Sequence, residues 1–293
     1  MTRICADLHG NAGVFPGRFP SLHRMTQTMR RRDLVFSVLP KAWLCASLLP
    51  QLGFATAAPS PINLVNQAGR LRMLPQRCLK LYLQLGQGIA VDSSRQLIER
   101  SLQQAHGHLQ ALESNPLATS GKQVLTQLRH DWDSFSDVLQ KPCSLASARQ
   151  LYPHADGLSQ QADQLTQITL QTQAGQVAEI TNLAGRQRML TQRMAKIYQA
   201  LVWHVAPASE ITVLALCRNE FVQALARLQQ ASQTYPASLV NLQLAAQQWL
   251  FFDLAIQQMA SLDKTRQAQQ HVATSSERLL QILDDLTLNF AAT

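Results

Sequence analysis

The chain has 293 residues, 46% hydrophobic and 6% aromatic, with a formal charge of +8. That length allows one large or two ordinary domains, and a composition rich in Leu, Gln and Ala but poor in Val, Ile and Tyr favours helix over sheet. The charge is concentrated: residues 58–293 carry nineteen Lys and Arg against sixteen acids, and eight of those bases fall in two short strips, so the rest of the body is mildly acidic and a broad nucleic-acid-binding surface is excluded.

Residues 1–57 read as an N-terminal extension and signal peptide. Arg30, Arg31 and Arg32 supply a positive segment, "AWLCASLLP" an apolar one, and Ala55-Thr56-Ala57 a small-residue cleavage site. Met25 or Met29 is a plausible true start, and Arg31-Arg32-Asp33-Leu34-Val35 fits a twin-arginine export signal loosely. Export to the periplasm is expected, with an uncleaved N-terminal anchor as the alternative. Cys78, Cys143 and Cys217 follow at wide spacings, which select no disulfide pair and no metal site.

Beyond residue 57 the chain repeats. "VNQAGRLRMLPQRCLKLYLQL" at 65–85 returns as "TNLAGRQRMLTQRMAKIYQAL" at 181–201, 116 residues later, with twelve of twenty-one positions identical. Trp132 and Trp249, each with Phe three residues on, extend the match. Two copies are predicted, at 58–174 and 175–293. In the first, a helix is expected from about Pro61 to Gln87, with Pro at its opening position. A second carries Ile98, Leu102, Ala105, Leu109 and Leu112, with Ser93 and Gln96 as a capping box, and ends at Asn115-Pro116. A third carries Leu125, Leu128, Trp132, Phe135 and Leu139, and Lys141-Pro142 stops it. A fourth carries Leu151, Ala155, Leu158, Ala162 and Leu165.

The second copy follows the same plan. Phe221, Leu225 and Leu228 mark its second helix, Leu239, Leu242, Ala246 and Trp249 its third, and Val272, Leu279, Leu283, Leu286 and Phe290 its fourth. Three-four spacing makes apolar seams that need partner helices, and short connections favour antiparallel neighbours. The expected fold is all-α, two tandem up-down four-helix bundles. No proline lies between Pro153 and Pro207, so the fourth helix either runs into the fifth or turns sharply at Gly175.

On a helical wheel, Leu71, Leu74, Cys78, Leu81, Tyr82 and Leu85 form the core face of the first helix. Gly69, Arg72, Met73, Gln76, Arg77 and Lys80 lie opposite, with Asn66 and Arg70 at the border. Gly185, Arg188, Met189, Gln192, Arg193 and Lys196 repeat that division. No acid occurs from Val65 to Leu85 or from Thr181 to Leu201, so the usual helical ion pairs are missing. Guanidinium forks suit a planar oxyanion. A mid-helix glycine, which costs about 1 kcal/mol against Ala, permits close approach of a ligand or a second backbone.

These stretches resemble the signature of the PilJ-type domain, the N-terminal sensory domain of type IV pilus methyl-accepting chemotaxis transducers. They also resemble the P-box of nitrate/nitrite sensor histidine kinases, A-G-x-x-R-M-x-x-x-R. The resemblance implies a four-helix sensory bundle that dimerises along its first helix and holds one nitrate on the two-fold axis. The arginine before Met falls on Arg72 and Arg188, the later motif arginine on Arg77 and Arg193, and the glycine on Gly69 and Gly185. Arg70 and Arg186 stand where the kinases have a small residue. Pro75 interrupts the first copy where Thr191 stands in the second, so a kink is expected there.

The resemblance implies a sensory half without its transmitter, recognising nitrate or nitrite as a homodimer or as an intrachain pseudo-dimer with Arg72 facing Arg188. An end-to-end rod is the other arrangement. The competing function is a ligand-free interaction module that docks onto a membrane chemoreceptor or histidine kinase. No enzyme is expected and no cofactor: His106 and His108 do not share a helix face, His130 beside Asp131 and Trp132 reads as a helix edge, His154, His204 and His271 stand alone, and no nucleophile, phosphate-loop or metal motif occurs.

Overall fold

The computed structural model describes residues 61–292 apart from 116, 118, 173–174 and 258–265. The expected signal peptide within 1–57 lies outside the described residues. The described residues fold into α-helices joined by short turns: α1 (Pro61–Gly86), α2 (Val91–Glu113), α3 (Thr119–Leu139), α4 (Leu145–Gln171), α5 (Gln176–Val202), α6 (Glu210–Ala231), α7 (Leu239–Gln257) and α8 (Arg266–Ala291), with a 3-10 turn at Pro236–Ser238. They contain no strand.

Local chemistry sets the helix ends. Ser144 caps α4 by accepting the Ser147 N–H at 3.1 Å. Asp92, Glu179 and Glu210 place negative charge in the first turns of α2, α5 and α6. The first helix of each repeat ends in the same left-handed turn. Gly88 (φ 69°) lets Ile89 N–H reach the Gln84 carbonyl, and His204 (φ 56°) lets Val205 N–H reach the Ala200 carbonyl, both at 2.8 Å.

Two local expectations are corrected, those on Ser93 and Leu239, and α1 proves unbroken at its proline. Ser93 is no N-cap: it lies inside α2, and its hydroxyl donates to the Ala90 carbonyl at 2.9 Å. Pro75 does not break α1, which runs continuously from Pro61 to Gly86. Neighbouring helices enclose that helix on all sides, and their contacts outweigh one missing backbone bond. Leu239 is not in the core seam but 46% exposed. The fourth and fifth helices are separate, α4 ending at Gln171 and α5 starting after Gly175.

In the first repeat α1 lies on α2 and α4, and α3 on α4; in the second α5 lies on α6 and α8, and α7 on α8. The repeats join along α1 and α5, the most extensive helix pair. Arg72 reaches Asn182 near the start of α5, and Gln87 reaches the Gln199 carbonyl near its end, so the two helices run parallel. At their far end Gly86 makes room for Trp203. A Cβ on residue 86 would overlap the indole ring, so only glycine fits.

This pairing corrects the helical-wheel reading of α1. Its basic face is not solvated, because residues 71–84 are all buried. The apolar side meets α2 and α4, and the polar side is closed by α5, α8 and the polar edge of α4.

Candidate functional site

The first helices carry the polar layer into the middle of the molecule. Arg72 is 1% and Arg188 0% exposed. A Cβ on Gly69 would lie 3.3 Å from Arg72 Nη2 and 3.8 Å from Arg188 Nη2. A Cβ on Gly185 would lie 3.1 Å from Arg188 Nη2 and 3.5 Å from Arg72 Nη2. Both guanidinium groups therefore converge on the same two glycines, and the missing side chains provide the space they occupy.

Their contacts are reciprocal. Arg72 Nη2 donates to Asn182 Oδ1, and Arg188 Nη2 to Asn66 Oδ1, each at 2.8 Å. Each arginine is thus oriented by an asparagine from the other repeat. On the outer side Arg72 Nη1 donates to Asp163 of α4, and Arg188 Nη1 to Asp284 of α8, again at 2.8 Å. The two Nε–H groups are buried and have no partner among the described residues.

Two like charges held this close and this dry disfavour each other. Burial lowers the pKa of Arg72 against the pull of Asp163. Burial also lowers that of Arg188; Asp284 opposes the shift, Arg70 and Arg72 reinforce it, and the result is about 10. Arg188 thus remains a cation at neutral pH.

Of the other motif residues, Arg70 and Arg186 share the carboxylates of the central arginines, and the rest pair with acids further along the helices. Arg70 pairs with Asp284 at 3.2 Å, and Arg186 pairs with Glu220 and with Asp163 at 3.6 Å. Arg77 and Lys80 converge on Glu277 of α8, at 2.6 and 2.5 Å. Arg193 and Lys196 face Asp156 of α4, at 3.9 and 2.7 Å. These lower pairs cross between repeats, so each first helix is clamped to the other repeat's fourth helix. Lys80 and Lys196 are fully buried.

The site is thus not a bare basic strip: acids on α4 and α8 supply the counter-charge missing from the motif itself. A signal for them was present. Asp156 and Asp163 are seven residues apart, as are Glu277 and Asp284, so each pair lies on one helix face. They recur at an offset of 121 rather than 116, which hides them from a simple repeat comparison. Asn66 and Asn182 are among the twelve identities, yet nothing local marks them as partners of the arginines.

A cavity of about 340 Å³ opens beside Arg72, lined by Gln76, Asp156, Ser159, Asp163, Arg186 and Arg193. On the pseudo-symmetric side a cavity of about 540 Å³ is lined by Arg77, Arg100, Glu277, Arg278 and Asp284. His108 of α2 is turned toward that side. Burial, helped by Arg70 and Arg188 and opposed by Asp284, pushes its pKa down to about 4. No cluster of metal-ligating side chains occurs among the described residues. No described helix is long and apolar enough to cross a membrane. No family model, curated protein or solved structure matches the chain.

Proposed function

We propose that this chain is an exported, periplasmic sensory or ligand-binding protein of the PilJ type, built as two up-down four-helix bundles. In this reading a small planar oxyanion such as nitrate or nitrite is taken between Arg72 and Arg188. The observation that carries the reading is the convergence of two buried guanidinium groups on Gly69 and Gly185, with an unpartnered Nε–H on each. Asp163 and Asp284 occupy the Nη1 side and Asn182 and Asn66 accept from Nη2, which leaves the buried Nε–H of each fork as the free donor to a planar anion. Such an anion offsets the repulsion between the two cations. One chain then does what a symmetric dimer does, with one anion per chain.

The test is calorimetry on the full chain with sodium nitrate and sodium nitrite, against sodium chloride. Saturable binding of one nitrate or nitrite per chain is expected, and Arg72→Gln or Arg188→Gln is expected to weaken it at least about tenfold. Asp163→Asn and Asp284→Asn, which remove a competing negative charge beside each guanidinium, are expected to strengthen it. No heat and no thermal-midpoint shift at about 10 mM of either anion sinks the proposal.

The second reading is a ligand-free module that docks onto a membrane chemoreceptor or sensor kinase. It is favoured by Asp163 and Asp284, which already neutralise both arginines. Capture of such a receptor at low salt, lost at high salt and indifferent to nitrate, supports it.

A further inference from the structure

The two repeats differ most on the outer face of their third helices. In α7, Val240, Leu244, Leu250, Phe251 and Leu254 are 44 to 68% exposed. Aligned on Trp132 and Trp249, the same positions of α3 hold Gln123, Gln127, Asp133, Ser134 and Asp137, all exposed. The fold therefore does not require apolar side chains at this place. A patch of this kind on a water-facing helix marks an interaction surface.

Its pattern says what covers it. Val240, Leu244, Gln247, Phe251 and Leu254 follow four-three-four-three spacing, the seam of one helix packed on another. The seam is nearly symmetric about Gln247. A second α7 laid antiparallel across a two-fold axis at Gln247 sets Val240 opposite the other copy's Leu254 and Leu244 opposite its Phe251. Gln247 then meets itself, and an amide can both donate and accept. A two-fold contact requires such a self-complementary patch.

Charge and area agree. The one charged residue of α7 is Asp253, which is held by Arg218 of α6 at 2.5 Å, so no like charges oppose each other across the axis. A lipid-surface helix carries Lys or Arg on its polar side, and α7 has neither. At roughly 100 Å² apiece, scaled from the 150–250 Å² of a whole aromatic side chain, the five side chains offer about 500 Å². A standard interface takes about 800 Å² per partner, near 65% of it apolar in two-fold dimers.

We infer that α7 is the contact face of a homodimer, in which two copies of this chain pair antiparallel through Val240, Leu244, Gln247, Phe251 and Leu254. This dimer is separate from the α1–α5 contact inside each chain.

Sedimentation velocity of the full chain is expected to show a concentration-dependent dimer. Leu244→Lys and Phe251→Glu are each expected to give monomers with unchanged helical circular dichroism. The double variant L244K/F251E sets opposite charges against each other across the two-fold axis and is expected to restore the dimer. A chain that stays monomeric at about 100 μM, above the micromolar range of weak specific contacts, overturns the inference. So does a dimer that survives either single substitution. Restoration absent from the double variant overturns the antiparallel register, and flotation of the full chain with anionic vesicles, lost in F251E, assigns the face to lipid instead.

Discussion

At the residue scale, the governing feature is burial of charge with its partners supplied from elsewhere in the chain. Glu277 shows how this couples to pH. Burial alone raises its pKa, but Lys80 and Arg77 more than reverse that and hold it at about 2, below its ordinary 4.5. Its stabilisation is therefore complete above pH 4.5 and is lost as pH falls toward 2. His108 acts in a higher window. With a folded pKa of about 4 against an ordinary 6.5, it binds its proton more weakly folded than unfolded. Stability thus falls as pH drops from 6.5 to 4. Glu277→Gln is expected to cost about 3 kcal/mol near neutral pH, since it strands two buried cations, and to flatten the loss below pH 4.5. His108→Gln is expected to flatten only the 6.5-to-4 limb. Urea unfolding at stepped pH separates the two, and a profile unchanged in both variants contradicts the assignment.

At the element scale, the repeats solve equal problems with unequal residues. The left-handed turn after the first helix falls on Gly88 in one copy and on His204 in the other. An L side chain there costs roughly 1 kcal/mol. His204→Gly is accordingly expected to stabilise the chain by about 0.5–1 kcal/mol, the strain relieved less the extra freedom of an unfolded glycine. Denaturant midpoints of the two chains measure this. Helix α1 carries a second inequality. Pro75 has no N–H to give to Leu71, whereas Thr191 at the equivalent place keeps its own and adds a hydroxyl bond to the Gln187 carbonyl at 2.9 Å. The expectation of a kink rested on that missing bond alone. The helix nonetheless runs unbroken past Pro75, with buried side chains on every face.

Helix α7 was misread for a related reason. It is apolar almost all round, so three-four spacing can be drawn along more than one of its faces, and Leu239 entered the wrong one. Trp249 and Phe252 point inward: Trp249 stacks on Phe221 of α6 with ring centroids 4.1 Å apart, and Phe252 meets Trp249 edge-on. Only the neighbours decide which apolar stripe is core.

At the scale of the whole molecule, the two repeats belong to one compact unit, Thr56–Thr293, joined along their first helices. Cutting the chain before Gly175 leaves α5 with Arg188, Gln192 and Lys196 exposed, and removes Asp156, which neutralises Lys196. The 175–293 fragment is therefore not expected to persist as a folded monomer. It is expected to unfold or to pair with itself along α5, which sedimentation and circular dichroism distinguish. A stable, fully helical monomer contradicts this account.

The sequence by itself determined the helical class, the duplication, the ends of α1, the stops after α2 and α3 and the identity of the conspicuous arginines. Those depend on properties written within a few turns of chain: propensity, spacing and caps. Only the tertiary structure decided that α1 and α5 lie side by side, that Arg72 and Arg188 meet, and that Asn66, Asn182, Asp163 and Asp284 hold them. The physical reason is range. A guanidinium with no acid within eight residues has the same local sequence whether it faces water, a ligand or a carboxylate about 90 residues away. "NQAGRLRMLPQR" carries the charge, but the choice of partner belongs to the way the two repeats pack.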